Sequence, residues 1–381
     1  MIPYGSHSID AGDINAVVDV LENAFLTQGQ QVPLFEKNLC DYTGARYAVA
    51  VNSGTSALHL ACIAAGIGKG DRVWTSPNSF AASANCALYC GADVDFVDID
   101  PRTRNMSVAL LAEKLVSANA NGTLPKAIVV VHFAGSSCDM EAIHRLTSCY
   151  GIIIIEDAAH GLGGKDKSGH PIGACKFSDM AVMSFHPVKS MTTAEGGAVL
   201  TNNESLANNV RLHASHGITK NSKDFSEQEQ GNAWFYSQQS LGFNYRLSDL
   251  HAALGNSQIK RLDSFIAARR AKAEVYHQAL ASLPIELPER DANSAWHLYT
   301  IELTMHDRKK VFDELRDRGV GVNVHYIPIY HHVYYKNLGY SADDYPNCER
   351  YYNNTLTLPL YSELTADMQN SVIDILHEVL K

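Results

Sequence analysis

The segment GIIIIEDAAHG, residues 151–161, contains four consecutive isoleucines followed by two acidic residues. A fully apolar run of this kind is typical of a strand that is buried on both faces, as in a parallel sheet covered by helices. Asp157 stands at the carboxyl end of the run, and ligands of such sheets bind next to the carboxyl ends of the strands. The segment therefore predicts an α/β fold with a polar site beside Asp157.

The same alternation of strand and helix extends outward from this segment. The apolar runs YAVAV, RVWTS, VDFVDI and AIVVVHF are each followed by a helical pattern. Two more apolar runs, residues 180–185 and 198–200, enclose a short loop. Strands interleaved with helices predict a mostly parallel central sheet with helices on both faces. The helices are expected to begin near Thr55, Phe80, Ser107 and Asp139.

The last third of the chain has a different pattern. A long helical stretch with a break, residues 248–283, leads into the proline-punctuated connection SLPIELPER. After it we expect a strand in WHLYTIEL, a helix from Asp307, a strand in GVNVHYI and a closing helix from Thr365. The sequence thus predicts a large domain, residues 1–250 with an N-terminal segment, and a smaller α+β domain, residues 251–381.

Composition excludes several classes of function. Lys plus Arg total 31 against 41 Asp plus Glu, so a net charge of -10 argues against a nucleic-acid partner. The longest apolar runs fall short of the ~20 residues that span a bilayer, so no membrane partner is expected. The 17 histidines show no HExxH or other close ligand spacing, and no metal site is expected. The eight cysteines form no CxxC pair, and without a signal peptide this favours reduced thiols in a cytoplasmic protein.

NSGTSALHLA, residues 52–61, places small polar residues between a strand and a helix. The first amides and hydroxyls of a helix form an anion site, so Gly54, Thr55 and Ser56 are candidates to hold a phosphate. A plain helix cap is the alternative, because Ser and Thr are favoured there for their own sake. Taken alone, this motif favours the plain helix cap.

The acidic end of the isoleucine strand also has two readings. A carboxylate at Asp157 could keep the ring nitrogen of a heteroaromatic cofactor protonated, with His160 close by. Alternatively, Asp157 caps the next helix and His160 is an ordinary polar residue.

SFHPVKSMTTAEGG, residues 184–197, carries a lone Lys189 in a compact loop between two core segments. An exposed lysine that only solvates a surface is the alternative to a reactive one. However, an anion cup, a strand-end aspartate and a loop lysine, in this order on a parallel sheet, are what pyridoxal phosphate (PLP) requires. Its phosphate is gripped, its ring nitrogen is paired, and its aldehyde is held by a lysine as a Schiff base.

At this point the chain resembles a known family. Its segments resemble those of the sugar-nucleotide aminotransferases of the DegT/DnrJ/EryC1/StrS family, which have the fold-type I architecture of PLP-dependent transferases, similar to aspartate aminotransferase. The resemblance runs from Pro3 to the C-terminal helix. The segments are TQGQQVPLFE, NSGTSALHLA, SPNSFAASAN, IEDAAHGLGG, SFHPVKSMTTAEGG, GFNYRLSDLHAALG and VHYIPIY.

The resemblance implies roles for single residues around the cofactor. Lys189 would be the catalytic Schiff-base lysine, Asp157 the partner of the ring nitrogen, and His160 a hydrogen-bond donor to the phenolic oxygen. Thr55, Ser56 and Ser184 would grip the phosphate, and Phe80 would stack on the ring. Asn244 would reach the phosphate of the neighbouring subunit, which makes a homodimer with shared active sites part of the expectation. The alternatives are core packing for Phe80, an ordinary strand position for Ser184, and the shaping of a turn for Asn244 and Arg246.

The resemblance also implies substrate contacts and a reaction. Residues near the sugar would be Thr27, Arg246, His325, Tyr326 and His331, although an aromatic-rich strand is also typical of packing. L-glutamate would give its amino group, leaving as 2-oxoglutarate, and a UDP-linked 4-keto-6-deoxy sugar would receive it at C4. The two segments around Thr55 and Lys189 most resemble the branch of the family that serves pseudaminic acid biosynthesis.

Three rival functions remain open at this point. The first is an aminotransferase for another nucleotide-linked 4-keto sugar. The second is a sugar 3-dehydratase on the same fold, which would be expected to carry histidine in place of Lys189. The third is a sensing or regulatory protein that binds a sugar nucleotide without catalysis.

Overall fold

The computed structural model describes residues 1–226, 229–230 and 232–381. Its strands, in chain order, are β1 (Tyr47–Val51), β2 (Arg72–Thr75), β3 (Asp93–Phe96), β4 (Ala127–Val131), β5 (Ile153–Asp157), β6 (Met180–Ser184), β7 (Gly197–Thr201), β8 (Ile218–Thr219), β9 (Ser237–Gln238), β10 (Ile285–Glu286), β11 (Tyr299–Leu303) and β12 (Thr355–Leu358). Its α-helices are α1 (Ala11–Asn23), α2 (Gln31–Thr43), α3 (Gly54–Ala64), α4 (Ala82–Tyr89), α5 (Val108–Asn121), α6 (Met140–Thr147), α7 (Glu204–Ala214), α8 (Asp249–Gln258), α9 (Leu262–Ala279), α10 (Arg308–Asp317), α11 (Val333–Asn337), α12 (Pro346–Asn354) and α13 (Ala366–Val379).

The large sheet has seven strands in the order β1-β7-β6-β5-β4-β2-β3. The strand β7 runs antiparallel to both of its neighbours, and the pairs on the other side of β6 are parallel. The predicted mostly parallel α/β sheet is therefore confirmed. Residues 185–196, which include Lys189, form no α-helix and return the chain antiparallel to β6.

Both faces of the sheet are buried, which explains its fully apolar strands. Successive side chains of a strand point to opposite faces. In β5, Ile155 belongs to one hydrophobic cluster and Ile154 to another, and Val129 and Ile128 in β4 divide in the same way. Helices cover each cluster, so no polar face is needed.

Local capping signals place most helices where the sequence predicts them. The side chains of Ser53, Ser107 and Asp139 accept hydrogen bonds from the first turns of α3, α5 and α6. Asp307 and Thr365 do the same for α10 and α13. The predicted break in the long helical stretch is the 3₁₀ turn Ile259–Arg261 between α8 and α9.

One predicted strand is wrong. The segment GVNVHYI, residues 321–327, forms no regular strand and pairs with β12 only at Asn323 and Thr357. Beyond Asn323 the chain leaves the small sheet, and Tyr326 reaches His160 beside the large sheet. Contact with the cavity described below thus competes with strand pairing, and β12 takes the place beside β11.

A separate hydrophobic cluster surrounds the three-stranded sheet β10-β11-β12 and includes buried residues of α9, α10 and α13. Residues after 250 also join the clusters of the large sheet, for example Leu262 and Ile329. The division at residue 250 therefore stays a prediction. Within the described part of the chain, no helix combines the length and the apolar character that crossing a membrane would require.

Candidate active site

A cavity of about 370 Å3 lies at the edge of the large sheet where the parallel strands end. Asp157 ends β5 and Ser184 ends β6, so both reach this edge. The turns that follow β1 and β2 add residues from two further strands, and the segment after Asn323 closes one side. Predicted site residues that line the cavity are Thr55, Phe80, Asp157, His160, Ser184, Lys189, His325 and Tyr326.

Lys189 lies in a tight loop whose backbone is bonded to itself. Its amide N–H donates to the His186 carbonyl at 2.9 Å, and the Thr193 amide donates to the Phe185 carbonyl at 3.0 Å. Burial lowers the pKa of the Lys189 amine from 10.5 to about 8, and the nearby Asp157 carboxylate opposes part of that shift. The neutral amine, which is the nucleophilic form, is therefore much more accessible near neutral pH than in an exposed lysine.

Asp157 is 5% exposed and has both carboxylate oxygens engaged. The Ser83 hydroxyl donates to Oδ2 at 2.6 Å, and the Ala159 amide donates to Oδ1 at 3.2 Å. Ser83 also lies 2.7 Å from the Ser79 hydroxyl, so a short chain of hydroxyls ends on the carboxylate. These two bonds hold the plane of the carboxylate.

His160 is buried against the floor of the cavity. Its Nε2 lies 2.9 Å from Tyr326 Oη, whereas its buried Nδ1 has no hydrogen-bond partner among the described residues. The ring of His297 packs at 4.2 Å between centroids. Burial lowers the pKa of His160 well below its ordinary value, with smaller contributions from Lys189 and His325, so the imidazole is neutral.

The turn before α3 forms a polar cup. Ser53 caps the helix by accepting a hydrogen bond from the Ser56 amide at 3.0 Å. Gly54 faces Ser184, and a Cβ at position 54 would lie 2.9 Å from the Ser184 Cβ, so glycine permits this close approach of helix and strand. Thr55 and Ser184 both line the cavity. The hydroxyl of Ser56 instead donates to Asn52 at 2.7 Å, outside the lining.

Several predicted residues lie away from the cavity of their own subunit. Arg246 donates to the Ser215 hydroxyl at 3.1 Å, and His331 pairs with Glu349 at 2.7 Å. Thr27 lies in an exposed loop, and the exposed Asn244 contributes no lining atoms. Their roles, like that of Ser56, stay predictions.

The Thr27 loop is nevertheless fixed in place. The buried Asp249 accepts hydrogen bonds from the Gly29 and Gln31 amides, each at 2.7 Å. The start of α2 is thereby tied to the start of α8.

Sequence reasoning missed several residues of the site. Tyr4, Glu195 and His297 line the cavity, and Ser83 bonds to Asp157. The spacing of Ser79 and Ser83 was the one available signal, because residues four apart lie on the same side of a helical turn. No local pattern marks Tyr4 or His297, which come from remote parts of the chain.

The residues of the cavity fit pyridoxal phosphate. A cup of helix-terminal amides and hydroxyls suits its phosphate, and Asp157 offers a fixed acid partner for a ring nitrogen. The unpaired, buried Nδ1 of His160 indicates that this cavity is built to receive a polar ligand atom. Among the described residues there is no group of His, Cys, Asp or Glu suited to a metal ion.

Comparisons with known proteins agree with this geometry. The model of the DegT/DnrJ/EryC1/StrS aminotransferase family matches residues 7–377. The spore coat polysaccharide biosynthesis protein SpsC of Bacillus subtilis is 37% identical over 389 residues, covering 100% of this chain and 97% of its own. A UDP-4-amino-4,6-dideoxy-N-acetyl-beta-L-altrosamine transaminase of Campylobacter jejuni is 38% identical over 388 residues. The match covers 100% of this chain and 98% of the relative. The solved structure of Helicobacter pylori PseC, an aminotransferase of pseudaminic acid biosynthesis, superposes with a TM-score of 0.90 at 31% identity, covering 100% and 99%.

Proposed function

This chain belongs to the DegT/DnrJ/EryC1/StrS aminotransferase family, and from that premise we propose that it transfers the amino group of L-glutamate to C4 of a UDP-linked 4-keto-6-deoxy sugar. It is a PLP-dependent sugar aminotransferase. The expected substrate is UDP-2-acetamido-2,6-dideoxy-β-L-arabino-hexos-4-ulose, and the product is UDP-4-amino-4,6-dideoxy-N-acetyl-β-L-altrosamine. The observation that carries the aminotransferase reaction is the half-buried Lys189, whose pKa is lowered, in one cavity with Asp157.

Lys189 has two tasks in this proposal. Its neutral amine attaches the cofactor, which supplies an aldehyde for the incoming amine and a ring that takes up electron density. When free, the same amine would act as the base that takes the proton from the donor Cα, and as the acid that supplies a proton to C4 of the sugar. A pKa of about 8 suits both directions of transfer near neutral pH.

The neighbouring side chains orient the cofactor and stabilise the charges on its ring nitrogen, phenolic oxygen and phosphate. Asp157, fixed by Ser83, keeps a proton on the ring nitrogen, and His160 donates to the phenolic oxygen. Thr55, Ser184 and the amides at the start of α3 bind the phosphate. Phe80 is 63% exposed at the rim of the cavity, where its ring can cover the cofactor.

Two features support the specific sugar. The name of the Campylobacter relative contains the amino sugar that we expect as the product, and the Helicobacter structure is that of an aminotransferase of pseudaminic acid biosynthesis. The test is a panel of 4-keto sugar nucleotides, offered with L-glutamate and read by mass spectrometry. We expect amination of the L-arabino UDP sugar at a higher kcat/KM than that of the D-configured UDP sugar or of GDP and dTDP sugars. If the protein preferred another sugar, that sugar would take the place of the proposed substrate. If it bound sugar nucleotides without aminating any of them, the result would favour a sensing or regulatory protein.

A shared site between two subunits is a separate part of the proposal. The Asn244 backbone bridges to Ser215, and its side chain is exposed and outside its own cavity. We expect Lys189→Ala and Asn244→Asp to be inactive alone, the second because a carboxylate repels phosphate. Their co-expressed mixture should regain activity, since one site of each heterodimer carries both lesions and the other carries none. Random pairing gives about a quarter of the wild-type sites.

The control for this mixture is Lys189→Ala combined with Asp157→Asn, two lesions that belong to one subunit's cavity. That mixture should stay inactive, because every site of its heterodimer carries one lesion. Heterodimers of Lys189→Ala and Asn244→Asp, verified by native mass spectrometry, that show no recovered activity would place Asn244 at its own subunit's site.

A further inference from the structure

His160 and Tyr326 share one hydrogen bond inside the cavity, and its direction decides what the imidazole can offer a ligand. Tyr326 Oη lies 2.9 Å from His160 Nε2. A neutral imidazole has one N–H donor and one acceptor nitrogen, so the bond at Nε2 also sets the state of Nδ1. The buried Nδ1 therefore carries either an N–H or a lone pair.

Under ordinary conditions the His160 imidazole carries one N–H, and the Tyr326 phenol keeps its hydroxyl hydrogen. Burial holds the pKa of His160 well below its usual value. Burial also raises the pKa of the Tyr326 phenol, and the Asp157 carboxylate raises it further. Only two arrangements of protons remain: the phenol donates to Nε2, or Nε2–H donates to the phenol oxygen.

The surroundings favour the first arrangement. If Nε2–H donated, the hydroxyl hydrogen of Tyr326 would need another acceptor, and no second partner of Tyr326 Oη is found among the described residues. The buried Nδ1 of His160 would then also lack a partner as an acceptor. If the phenol donates, its hydrogen and Nε2 are both satisfied, and only one group, the Nδ1–H, is left over. The first arrangement therefore leaves fewer polar groups without a partner among the described residues, and it costs less free energy.

We propose that Tyr326 is a positioning residue whose hydroxyl donates to His160 Nε2, fixes the imidazole as the Nδ1–H tautomer and so directs a buried donor at an oxygen anion of the bound ligand. This inference rests on the proposed function, in which that anion is the phenolic oxygen of the cofactor. Tyr326 thereby contributes to cofactor binding through His160, in addition to the sugar contact predicted from sequence.

The neighbouring His297 does not fix the tautomer. Its ring packs on His160 at 4.2 Å with an interplanar angle of 39°, which restrains the orientation of the imidazole plane. Its own Nδ1 has no partner among the described residues, so it makes no hydrogen bond to His160 from that atom. Among the contacts described for His160, the bond from Tyr326 is thus the one that can select a nitrogen.

The test is the ring 15N chemical shifts of His160 in cofactor-free protein labelled at histidine. The shifts distinguish the two tautomers, and the His160→Gln variant identifies the signals. We expect the Nδ1–H tautomer in the wild-type protein. Tyr326→Phe keeps the ring and removes the hydroxyl, so the signals should move toward the Nε2–H tautomer, which free imidazole side chains prefer.

Tyr351→Phe is the matched control. The Tyr351 hydroxyl donates to the His325 carbonyl at 3.0 Å, directly before Tyr326, so this variant loses a buried hydroxyl from the same region without touching His160. Its tautomer should equal that of the wild-type protein. A wild-type Nε2–H tautomer, or shifts that Tyr326→Phe leaves unchanged, would overturn the proposal.

The NMR readout needs neither cofactor nor sugar, so its outcome is separate from that of the substrate panel. An Nδ1–H tautomer with no amination of any sugar would reject the proposed function and keep the positioning role. For the loaded protein, we expect Tyr326→Phe to weaken PLP retention about tenfold in dialysis, the effect of losing one hydrogen bond to a charged oxygen.

Discussion

Replacing Lys189 by alanine should lower kcat by more than about 10⁴-fold, because both the attachment of the cofactor and the proton transfer at the reacting carbon are lost. The protein should still fold, since no described core contact depends on the amine. The absorbance of the attached cofactor, and its covalent link after borohydride reduction and mass spectrometry, should both disappear. The polar cup before α3 should still retain free PLP at a lower affinity.

Two controls separate this effect from a general loss of positive charge. Lys189→Arg keeps a cation and most of the side-chain volume but offers no neutral amine, so it should be as inactive as Lys189→Ala. Lys69→Ala removes an exposed lysine and should have wild-type activity. A Lys189→Ala protein with near-normal turnover would end the proposed mechanism.

The environment of Lys189 makes it the candidate for a reactive lysine. A shift of the pKa from 10.5 to about 8 raises the neutral fraction at pH 7 by about two orders of magnitude. Desolvation causes the shift, and that desolvation comes from the enclosure of the loop between β6 and β7. The sequence indicates the loop and its apolar neighbours, whereas the degree of burial becomes visible only in the structure.

Those parts of the site that depend on local signals could be predicted. Asp157 follows four isoleucines, and Thr55 follows a serine cap, so strand ends and helix starts are readable in the chain. Ser83 is different, because its bond to Asp157 joins residues 74 positions apart and requires α4 to pack over the sheet. His297 likewise enters the cavity from the segment just before β11, and no short motif announces it.

The wrong strand at residues 321–327 has a similar cause. Its alternating apolar residues fit the pattern of a strand. The local pattern contains no sign of the hydrogen bond between Tyr326 and the distant His160. The residues that depart from the local rule are those that complete the cavity, as expected where function and regular structure compete.

The second large effect is expected for Asp157→Asn, which should lower kcat by at least about 10²-fold, the size of losing one preorganised electrostatic contact. A neutral amide cannot keep the ring nitrogen protonated, so the ring draws electron density less strongly when the donor Cα loses its proton. PLP affinity should fall less than kcat, because the phosphate cup and Lys189 are unchanged. Spectral titration with PLP measures the affinity, and single-turnover kinetics with L-glutamate measures the chemical step.

Ser83→Ala separates the effect of the negative charge of Asp157 from the effect of the hydrogen bonds that orient its carboxylate. The carboxylate accepts from Ser83 on Oδ2 and from Ala159 on Oδ1, whereas an asparagine has one acceptor oxygen for these two donors. Its NH2 group can face Ser83, whose hydroxyl then turns to donate to Ser79, so the fold survives the change.

Ser83→Ala removes one of these bonds and keeps the negative charge, so its loss of kcat should be clearly smaller than that of Asp157→Asn. Equal losses would show that the orientation of the carboxylate, rather than its charge, carries the effect. Unchanged turnover in Asp157→Asn with collapsed PLP binding would reduce Asp157 to a structural residue.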